Sequence, residues 1–585
     1  MKKLSVLLLV AILAMAVFAL TGCQREAEPP LQPTPAQEQT PAQTPAQTPA
    51  VTTPPAPEAS EMELLGLDEN GRFLETQQLT VGIWDRGHER MPDMTDNGWT
   101  DWLKERALQD LNIEVEFISI SRWDQGEVTS TLIGANSAPD VTFHFGALPM
   151  TNTFAEMGAL LNLAPLLERY GGLLPDLYNW FDDLVYYNAR PTGELFAISS
   201  RRTEIMRQNT FIREDWLNRL NIAPPTTLQE FEDALIAFRD NAEYLLGADA
   251  HMMIPLLMDG DVGWALGTLI DSFIPNDISE REWFRYGFDD RRVMHPTTKE
   301  AIRVGNRWFN EGLVFSEFAY GEAGDLMPGF VREGFVGAQI ANWDMPFRAG
   351  GDMQIQSMRE NIGPEANFIT ITPFPNDAGV NVIPAFSSSD RHIVLPHTNS
   401  NPLAALLYIN FKSSQEVRDF MSHGIEGVHH VVEAGGARRT LPAAELPDNF
   451  VFAAVNNFDI QFVANGFDLG TPELTVATLA LAYAGIEPEA IMTARQTALD
   501  HARVWRSVVL RPIAAQEGMS TPLNEFRDTL LHNAMMAPVD QFDVVWDDFF
   551  GQYMAMGGQA IINERDQAWV EYFGNVDFGP GWEGW

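Results

Sequence analysis

Residues 78–84 have the sequence QLTVGIW, a run of apolar and β-branched side chains that predicts a buried β-strand. Residues 99–111 follow with apolar side chains at helical spacing, and residues 113–118, IEVEFI, alternate as a second strand. A strand, a helix and a strand in this order predict a right-handed βαβ unit with a mostly parallel sheet. The chain is therefore assigned to the α/β class.

The same kind of pattern continues along the chain. Residues 139–145 predict a short strand after a proline turn, and residues 154–170 predict a helix with a break near Pro165. Thr227 and Glu230 stand at capping-box spacing at the start of another helix. A chain of 585 residues is too long for one hydrophobic core, so at least two lobes are expected.

The first residues predict secretion and a lipid anchor. Lys2 and Lys3 precede the apolar run 4–20, which has the length of a signal-peptide core. The stretch Leu20-Thr21-Gly22-Cys23 resembles the lipobox of bacterial lipoproteins, in which the cysteine receives a diacylglyceryl group. Cys23 is the only cysteine of the chain, so it closes no intramolecular disulfide. We expect a signal peptide over 1–22 and anchoring to the extracellular face of the cell membrane through Cys23.

The tether and the net charge limit which partners the protein is expected to bind. We expect a disordered tether over 23–73. Near-repeats of Thr-Pro-Ala-Gln at 34–50 lack apolar surface to bury, and the proline-rich stretch from 24 to about 60 favours an extended spacer of up to roughly 100 Å. The formal net charge is -42, which argues against nucleic acid and anionic lipid surfaces as partners. The expected contact with the membrane is through the lipid anchor alone.

Several motifs, in the same order, resemble the family 1 extracellular solute-binding proteins, particularly their large lipoprotein branch in Gram-positive bacteria. The most specific resemblance lies in FIREDWL at 211–217, followed by PTTLQEF at 225–231. The weaker resemblances lie in residues 157–163, 192–198, 310–314, 335–338 and 424–430.

The resemblance implies a two-lobe, periplasmic-binding-protein-like clamp of type II with hinge strands between the lobes. Lobe 1 is expected at 74–198 and 346–430, and lobe 2 at 199–345 and 431–585. It also implies a monomer without cofactor or enzymatic activity. Such a protein captures a carbohydrate, here expected to be an oligosaccharide, and delivers it to the permease subunits of an ABC importer.

Candidate ligand-binding residues follow from sugar chemistry. Sugars present apolar faces and hydroxyl groups, so their sites combine aromatic rings with charged hydrogen-bonding groups. In open α/β sheets these side chains follow the ends of strands. For each candidate, core packing, hinge packing or turn capping is the competing interpretation. The candidates are Trp84, Asp85, His144, Arg201, Trp343 and Asp344.

Other classes of function stay open at this point. A secreted glycoside hydrolase needs two carboxylates, and the chain has 80 Asp and Glu, but no serine nucleophile elbow, zinc helix or Walker A loop is present. A peptide-binding or adhesive surface lipoprotein is the stronger competitor, because a clamp does not dictate its ligand. The calcium-like fragments at 68–71 and 259–261 are interpreted as turns, so no metal is expected.

Overall fold

The computed structural model describes residues 59–583. The gaps within that range are 88–92, 146–147, 191, 259, 289–291, 320–322, 349–352, 443–444, 448–449, 451–456, 458, 467–470, 484, 506–510 and 579–581. The predicted signal peptide, Cys23 and most of the tether lie outside the described residues. Among the described helices, none is long and apolar enough to cross a bilayer.

The strands are short, as is usual for an α/β protein. They are β1 (Gln77–Asp85), β2 (Ile113–Ser121), β3 (Thr142–His144), β4 (Ile198–Arg202), β5 (Gln208–Arg213), β6 (Ile254–Leu257), β7 (Val336–Asn342), β8 (Phe368–Ile371), β9 (Ile383–Pro384), β10 (Ser389–Val394), β11 (His430–Val432), β12 (Arg438–Thr440), β13 (Ala464–Asn465), β14 (Ala502–Trp505) and β15 (Trp582–Glu583).

The α-helices account for most of the remaining ordered elements and are named below by their residues. They are Ala59–Leu64, Gly98–Leu111, Gln125–Gly134, Leu148–Glu156, Ala164–Tyr170, Pro175–Phe181, Glu214–Leu220, Leu228–Asp240, Ala242–Leu246, Val262–Ala265, Gly267–Phe273, Glu280–Tyr286, Thr298–Asn310, Ala323–Arg332, Gln354–Asn361, Pro402–Ser413, Gln415–His423, Pro472–Ala482, Pro488–Asp500, Ser520–Met536, Phe542–Tyr553 and Gln559–Phe573.

The first βαβ unit forms as predicted. β1 and β2 pair in parallel over their whole length, with helix 98–111 between them in the chain. Asn97 caps this helix by accepting from the backbone N–H of Trp99 and Thr100, and the Thr100 hydroxyl closes the capping box. The helix ends at Asn112, whose left-handed backbone (φ 57°) directs the chain into β2.

The rest of the first lobe departs from the predicted parallel sheet. Its four-stranded sheet has the order β13-β4-β10-β3, in which β10 runs antiparallel to both β3 and β4. The bridge between Val81 and Val141 joins this sheet to β1. β10 is antiparallel because it returns to the first lobe after the chain has passed through the second. The spacing of apolar residues within one element cannot predict such a long-range return.

The second lobe is built on a sheet that is covered on both faces. The sheet has the order β6-β7-β5-β8, and every residue of β5 is buried. Ile212 packs on one face with the helix at 228–240, whereas Phe211 packs on the other face with the helices at 354–361 and 488–500. In a strand that is buried on both faces, every side chain is either apolar or hydrogen-bonded. This explains why β5 does not alternate between apolar and polar residues.

The hydrophobic core in which each stretch packs shows that the lobes begin and end at other residues than the predicted boundaries. Phe347 and Phe368 pack in the second lobe, although the predicted boundary assigns 346–430 to the first. Ile460 packs in the first lobe, although 431–585 is predicted for the second. The physical reason is sheet pairing: β8 is hydrogen-bonded to β5, and β13 to β4, so each stretch follows its strand partner.

Two helix predictions differ in detail. The predicted helix over 154–170 is two helices, Leu148–Glu156 and Ala164–Tyr170, because Leu160 between them bridges to Pro396 in an extended conformation. Thr227 caps its helix as predicted by accepting from the N–H of Glu230. The Glu230 carboxylate accepts from the backbone N–H and the hydroxyl of Thr226, the residue before the cap.

Candidate functional site

The candidate site lies where the chain passes from one lobe to the other. β4 of the first lobe ends at Arg202, and β5 of the second begins at Gln208. The end of β7, Asn342, pairs with Gln208, and the start of β10, Ser389, pairs with Arg201. The ends of four strands therefore meet around the segment 203–207, as expected for a ligand site in an open α/β sheet.

Two half-buried aromatic rings stand at this junction. The ring centroids of Trp264 and Phe386 are 6.4 Å apart. The guanidinium carbon of Arg202 lies 4.0 Å from the Phe386 centroid, and that of Arg207 lies 4.7 Å from the Trp264 centroid. We call these four residues the crossing site. Aromatic faces beside guanidinium groups suit a ligand that has apolar faces and hydrogen-bonding groups.

Carboxylates border the crossing site on the side of the second lobe. The Glu204 carboxylate lies 3.4 Å from the Arg495 guanidinium, and burial raises the pKa of Glu204 against the lowering effect of Arg495. The Asp344 carboxylate accepts from the Tyr483 hydroxyl at 2.6 Å and pairs with Arg348 at 2.7 Å. Burial together with Asp344 raises the pKa of that Tyr483 hydroxyl, so Tyr483 stays a donor.

Trp343 and Asp344 lie at the junction but are nearly buried. Trp343 is 8% exposed and packs in the core with Phe347. Its backbone N–H donates to the carbonyl of Arg207, and its own carbonyl accepts from Asn209. Asp344 is 5% exposed, and its carboxylate is occupied by the contacts described above. In this conformation both residues position the strand ends, and their predicted contact with a ligand stays a prediction.

Trp84 and His144 are completely buried. The Trp84 ring packs against Phe143 and Phe145 with centroids 4.4 and 4.3 Å away. The two ring nitrogens of His144 bond to the Phe145 carbonyl and the Thr151 hydroxyl, both at 3.0 Å. Burial, aided by the neighbouring His392, lowers the pKa of His144 to about 3. Both side chains pack the first lobe and present no surface to a ligand in this conformation.

The other two predicted residues are partly exposed. The Asp85 carboxylate accepts from the backbone N–H of Gly87 at 2.7 Å and so caps the turn after β1. The Arg201 guanidinium donates to the carbonyls of Trp180 and Phe181, each at 2.8 Å. Arg201 therefore points into the first lobe, whereas the next residue, Arg202, reaches the crossing site.

Sequence reasoning did not select Trp264, Phe386 or Arg207. Trp264 follows Asp261, whose side chain caps the short helix at 262–265 by accepting from the Trp264 N–H. Phe386 directly follows β9, so the rule that ligand residues follow strand ends applies to it as well. Among the described residues, no group of three or more His, Cys, Asp or Glu is arranged to hold a metal ion.

Comparison with known sequences gives a partial match. No family model matches the chain. Lipoprotein LipO of Bacillus subtilis is 29% identical over 172 residues, which cover 28% of this chain and 31% of the relative. The chain thus matches less than a third of the length of that curated relative.

Solved structures match over much more of the chain. The S. pneumoniae ABC-transporter substrate binding protein FusA, in complex with kestose, has a TM-score of 0.60 at 12% identity, covering 86% of this chain and 100% of that one. The alginate-binding protein AlgQ2 has a TM-score of 0.59 at 15% identity, covering 85% and 98%. An HMO-binding, ABC-transporter-associated solute-binding protein from Bifidobacterium longum infantis has a TM-score of 0.57 at 15% identity, covering 85% and 99%.

These likenesses define the class of fold. The chain has the two-lobed α/β fold of the solute-binding proteins of ABC transporters, which confirms the predicted clamp. Each of the three structures is covered almost completely, so the likeness includes both lobes.

Proposed function

We propose that this chain is a family 1 extracellular solute-binding lipoprotein of an ABC importer. In this role it captures an oligosaccharide at the crossing site and delivers it, chemically unchanged, to the permease. The proposal rests chiefly on the pair of half-buried rings, Trp264 and Phe386, which Arg202 and Arg207 flank where the two lobes join. The proposal is supported by the structural neighbours, among them an alginate-binding protein and a protein in complex with kestose, and by the lipoprotein relative.

The fold suggests how capture works. A ligand that contacts both lobes stabilises the closed arrangement by the difference between its contacts in the closed and open states. The segment 203–207 and the residues between β9 and β10 are two of the segments that join the lobes, so we expect the backbone to turn there during closure. Ring stacking supplies apolar contact, and the guanidinium groups supply hydrogen bonds to hydroxyl oxygens.

A thermal-shift screen of the full-length chain in mild detergent tests the ligand class. Neutral and acidic oligosaccharides are compared with peptides and divalent ions. A ligand at 100 times its dissociation constant stabilises the folded state by about 2.7 kcal/mol, which raises the melting midpoint measurably. We expect an oligosaccharide to act and Trp264→Ala to abolish its effect. Tyr244→Ala, which removes an exposed ring of the second lobe, is the matched control and should leave the shift intact.

A peptide that stabilises the chain when no oligosaccharide does would overturn the proposal and favour the peptide-binding interpretation. Mass spectrometry of the released oligosaccharide tests for turnover, and a shortened product would indicate a hydrolase.

The membrane anchor has its own test. Wild-type chain expressed in a Gram-positive host should incorporate labelled palmitate and remain with the membrane fraction, whereas Cys23→Ala should lose the label and appear in the medium. Retention of Cys23→Ala at the membrane without label would contradict lipid anchoring at this residue.

A further inference from the structure

Four arginines gather at one edge of the first-lobe sheet. Arg86 follows β1, Arg122 follows β2, and Arg391 and Arg202 lie at the facing ends of β10 and β4. We call this group the arginine edge. Because β4 leads from it directly into the segment that joins the lobes, the arginine edge faces the crossing site, and Arg202 belongs to both.

The guanidinium groups outnumber the carboxylates that they contact. The fully buried Asp459 carboxylate is shared by Arg86, by Arg122 at 3.5 Å and by Arg391 at 3.4 Å. The Asp390 carboxylate pairs with Arg202 and lies 3.4 Å from Arg391.

Two further carboxylates of these loops are directed elsewhere. Asp85 accepts from the N–H of Gly87, and Asp124 accepts from the hydroxyl of Ser121. Asp459 and Asp390 are thus each shared by more than one of the four guanidinium groups, in a chain whose net charge is -42.

This concentration of like charge opposes folding. Burial lowers the pKa of Arg122, and the charge of Arg86 lowers it further. Burial likewise lowers the pKa of Arg391 against the raising effect of Asp390 and Asp459, and the charges of Arg202 and Arg122 lower it further. A buried cluster of this kind is weak as a stabilising device, because desolvation of each charge is expensive. A ligand that supplies negative charge would relieve the repulsion.

Arg122 is placed to meet such a ligand. Its side chain is 21% exposed, and its guanidinium carbon lies 4.9 Å from the Phe145 centroid and 5.2 Å from that of Trp123. Trp123 is 69% exposed, and its indole N–H donates to the Arg86 carbonyl at 3.3 Å. An exposed indole beside two solvent-reaching guanidinium groups offers a stacking face and charged donors to one sugar unit.

We propose that the bound oligosaccharide is acidic, and that Arg86, Arg122 and Arg202 bind the carboxylates of its uronic acid units. This inference rests on the proposed function and names its substrate class. The planar guanidinium fork matches the two oxygens of a carboxylate with two parallel hydrogen bonds, whereas a neutral hydroxyl offers a single oxygen without charge.

Calorimetric titration of the full-length chain in detergent tests the assignment. The probes are a uronic acid oligomer, the same oligomer after reduction of its carboxyl groups to alcohols, and a sulfated neutral oligomer of equal length. We expect the uronic acid oligomer to bind at least about tenfold more tightly than its reduced form, as one charged hydrogen bond predicts. Its affinity should also weaken as salt is raised, whereas that of the reduced form should not.

Variants locate the effect. Arg122→Gln should remove most of the preference for the uronic acid oligomer while leaving the affinity for the reduced form nearly unchanged. Arg219→Gln, whose guanidinium donates to the Leu245 carbonyl in the second lobe, is the matched control and should retain the preference. If Arg122→Gln does not fold, Arg86→Lys takes its place in the test. This variant keeps the positive charge but lacks the planar guanidinium group, and it should lower the preference for the uronic acid oligomer.

The outcomes separate the two proposals. Equal or tighter binding of the reduced oligomer overturns the acidic ligand but leaves the oligosaccharide function intact. Preference for the sulfated oligomer overturns the carboxylate assignment. If no oligosaccharide of any charge binds, the proposed function itself fails.

Discussion

Lys412 is the residue that the fold accommodates least easily. It is fully buried, its Nζ lies 5.8 Å from the Phe462 centroid, and within the described part of the chain that nitrogen has no hydrogen-bond partner. Burial lowers its pKa well below the ordinary value. A base that is harder to protonate in the folded state makes stability rise with pH, because the unfolded chain binds the extra proton below about pH 10.

Lys412→Met should therefore stabilise the protein at pH 7 by about 1 to 3 kcal/mol and flatten the rise in stability between pH 7 and 10. Chemical denaturation at several pH values measures both effects. Lys104→Met is the control, because the Lys104 Nζ is hydrogen-bonded to the Thr95 carbonyl and its loss should not stabilise the protein. A destabilised Lys412→Met would indicate that the ammonium group has a partner that stabilises it.

His144 makes the folded state sensitive to acid. Its pKa is lowered to about 3 by burial, whereas in the unfolded chain it takes a proton near pH 6.5. Its contribution to stability is thus complete above pH 6.5 and is lost progressively as the pH falls towards 3. Between pH 7 and 5 the loss amounts to about 2 kcal/mol.

His144→Gln should remove that part of the acid sensitivity, as measured by urea unfolding at pH 7 and pH 5. Thr151→Val is the control, because it removes the hydroxyl bonded to Nε2 but keeps the titrating ring, and so lowers stability without removing the pH dependence. If His144→Gln abolished ligand binding at pH 7 while the protein stayed folded, His144 would have the ligand role that the sequence predicted.

At the scale of elements, β7 packs too closely for any side chain at Gly337. A Cβ added there would lie 2.8 Å from the Pro255 carbonyl oxygen of the adjacent strand region and 2.6 Å from the Phe238 ring. The backbone oxygen cannot move without disturbing the sheet. The glycine is thus required by the close approach of β7 to its neighbours.

Gly337→Ala should lower the free energy of unfolding by about 1 to 3 kcal/mol, the usual cost of overpacking a core. Thermal or urea denaturation measures the change. Gly126→Ala is the matched control: nothing lies within 4 Å of the added methyl group, and alanine favours the helix at 125–134. A Gly337→Ala protein as stable as wild type would mean that β7 and its neighbours are less tightly packed than described.

At the scale of the whole molecule, the two lobes have separate cores. Leu406 is fully buried in the first lobe, and Leu235 is fully buried in the second. Within the described residues, core side chains pass from one lobe to the other three times, between Ile198 and Met206, between Phe374 and Ile393, and between Ala464 and Val476. Lobes joined by so few chain crossings unfold as partly independent units.

Scanning calorimetry should therefore resolve two overlapping transitions without ligand. Leu406→Ala and Leu235→Ala, each costing about 2 to 5 kcal/mol, should lower different transitions. A saturating ligand that contacts both lobes should raise both transitions and bring them together. If either substitution shifts a single transition as a whole, the two lobes form one cooperative unit.

The sequence alone determined the elements with strong local patterns. The alternation and helical spacing over 78–118 fix the first βαβ unit, because the period of the apolar residues shows which face of each element is buried. The cap at Thr227 follows from local chemistry in the same way. The family resemblance led to the clamp fold, and the strand-end rule pointed to the junction that includes Trp343 and Asp344.

Only the tertiary structure decided which side chains are exposed at the junction of the lobes. Trp84 lies near the end of β1 and Arg86 directly follows β1, yet Trp84 is fully buried and Arg86 reaches solvent. The proximity of Trp264 to Phe386, and the sharing of Asp459 by three arginines, join residues far apart in the chain. Local periodicity reports burial within one element, whereas these contacts depend on how strands return from the other lobe and pair.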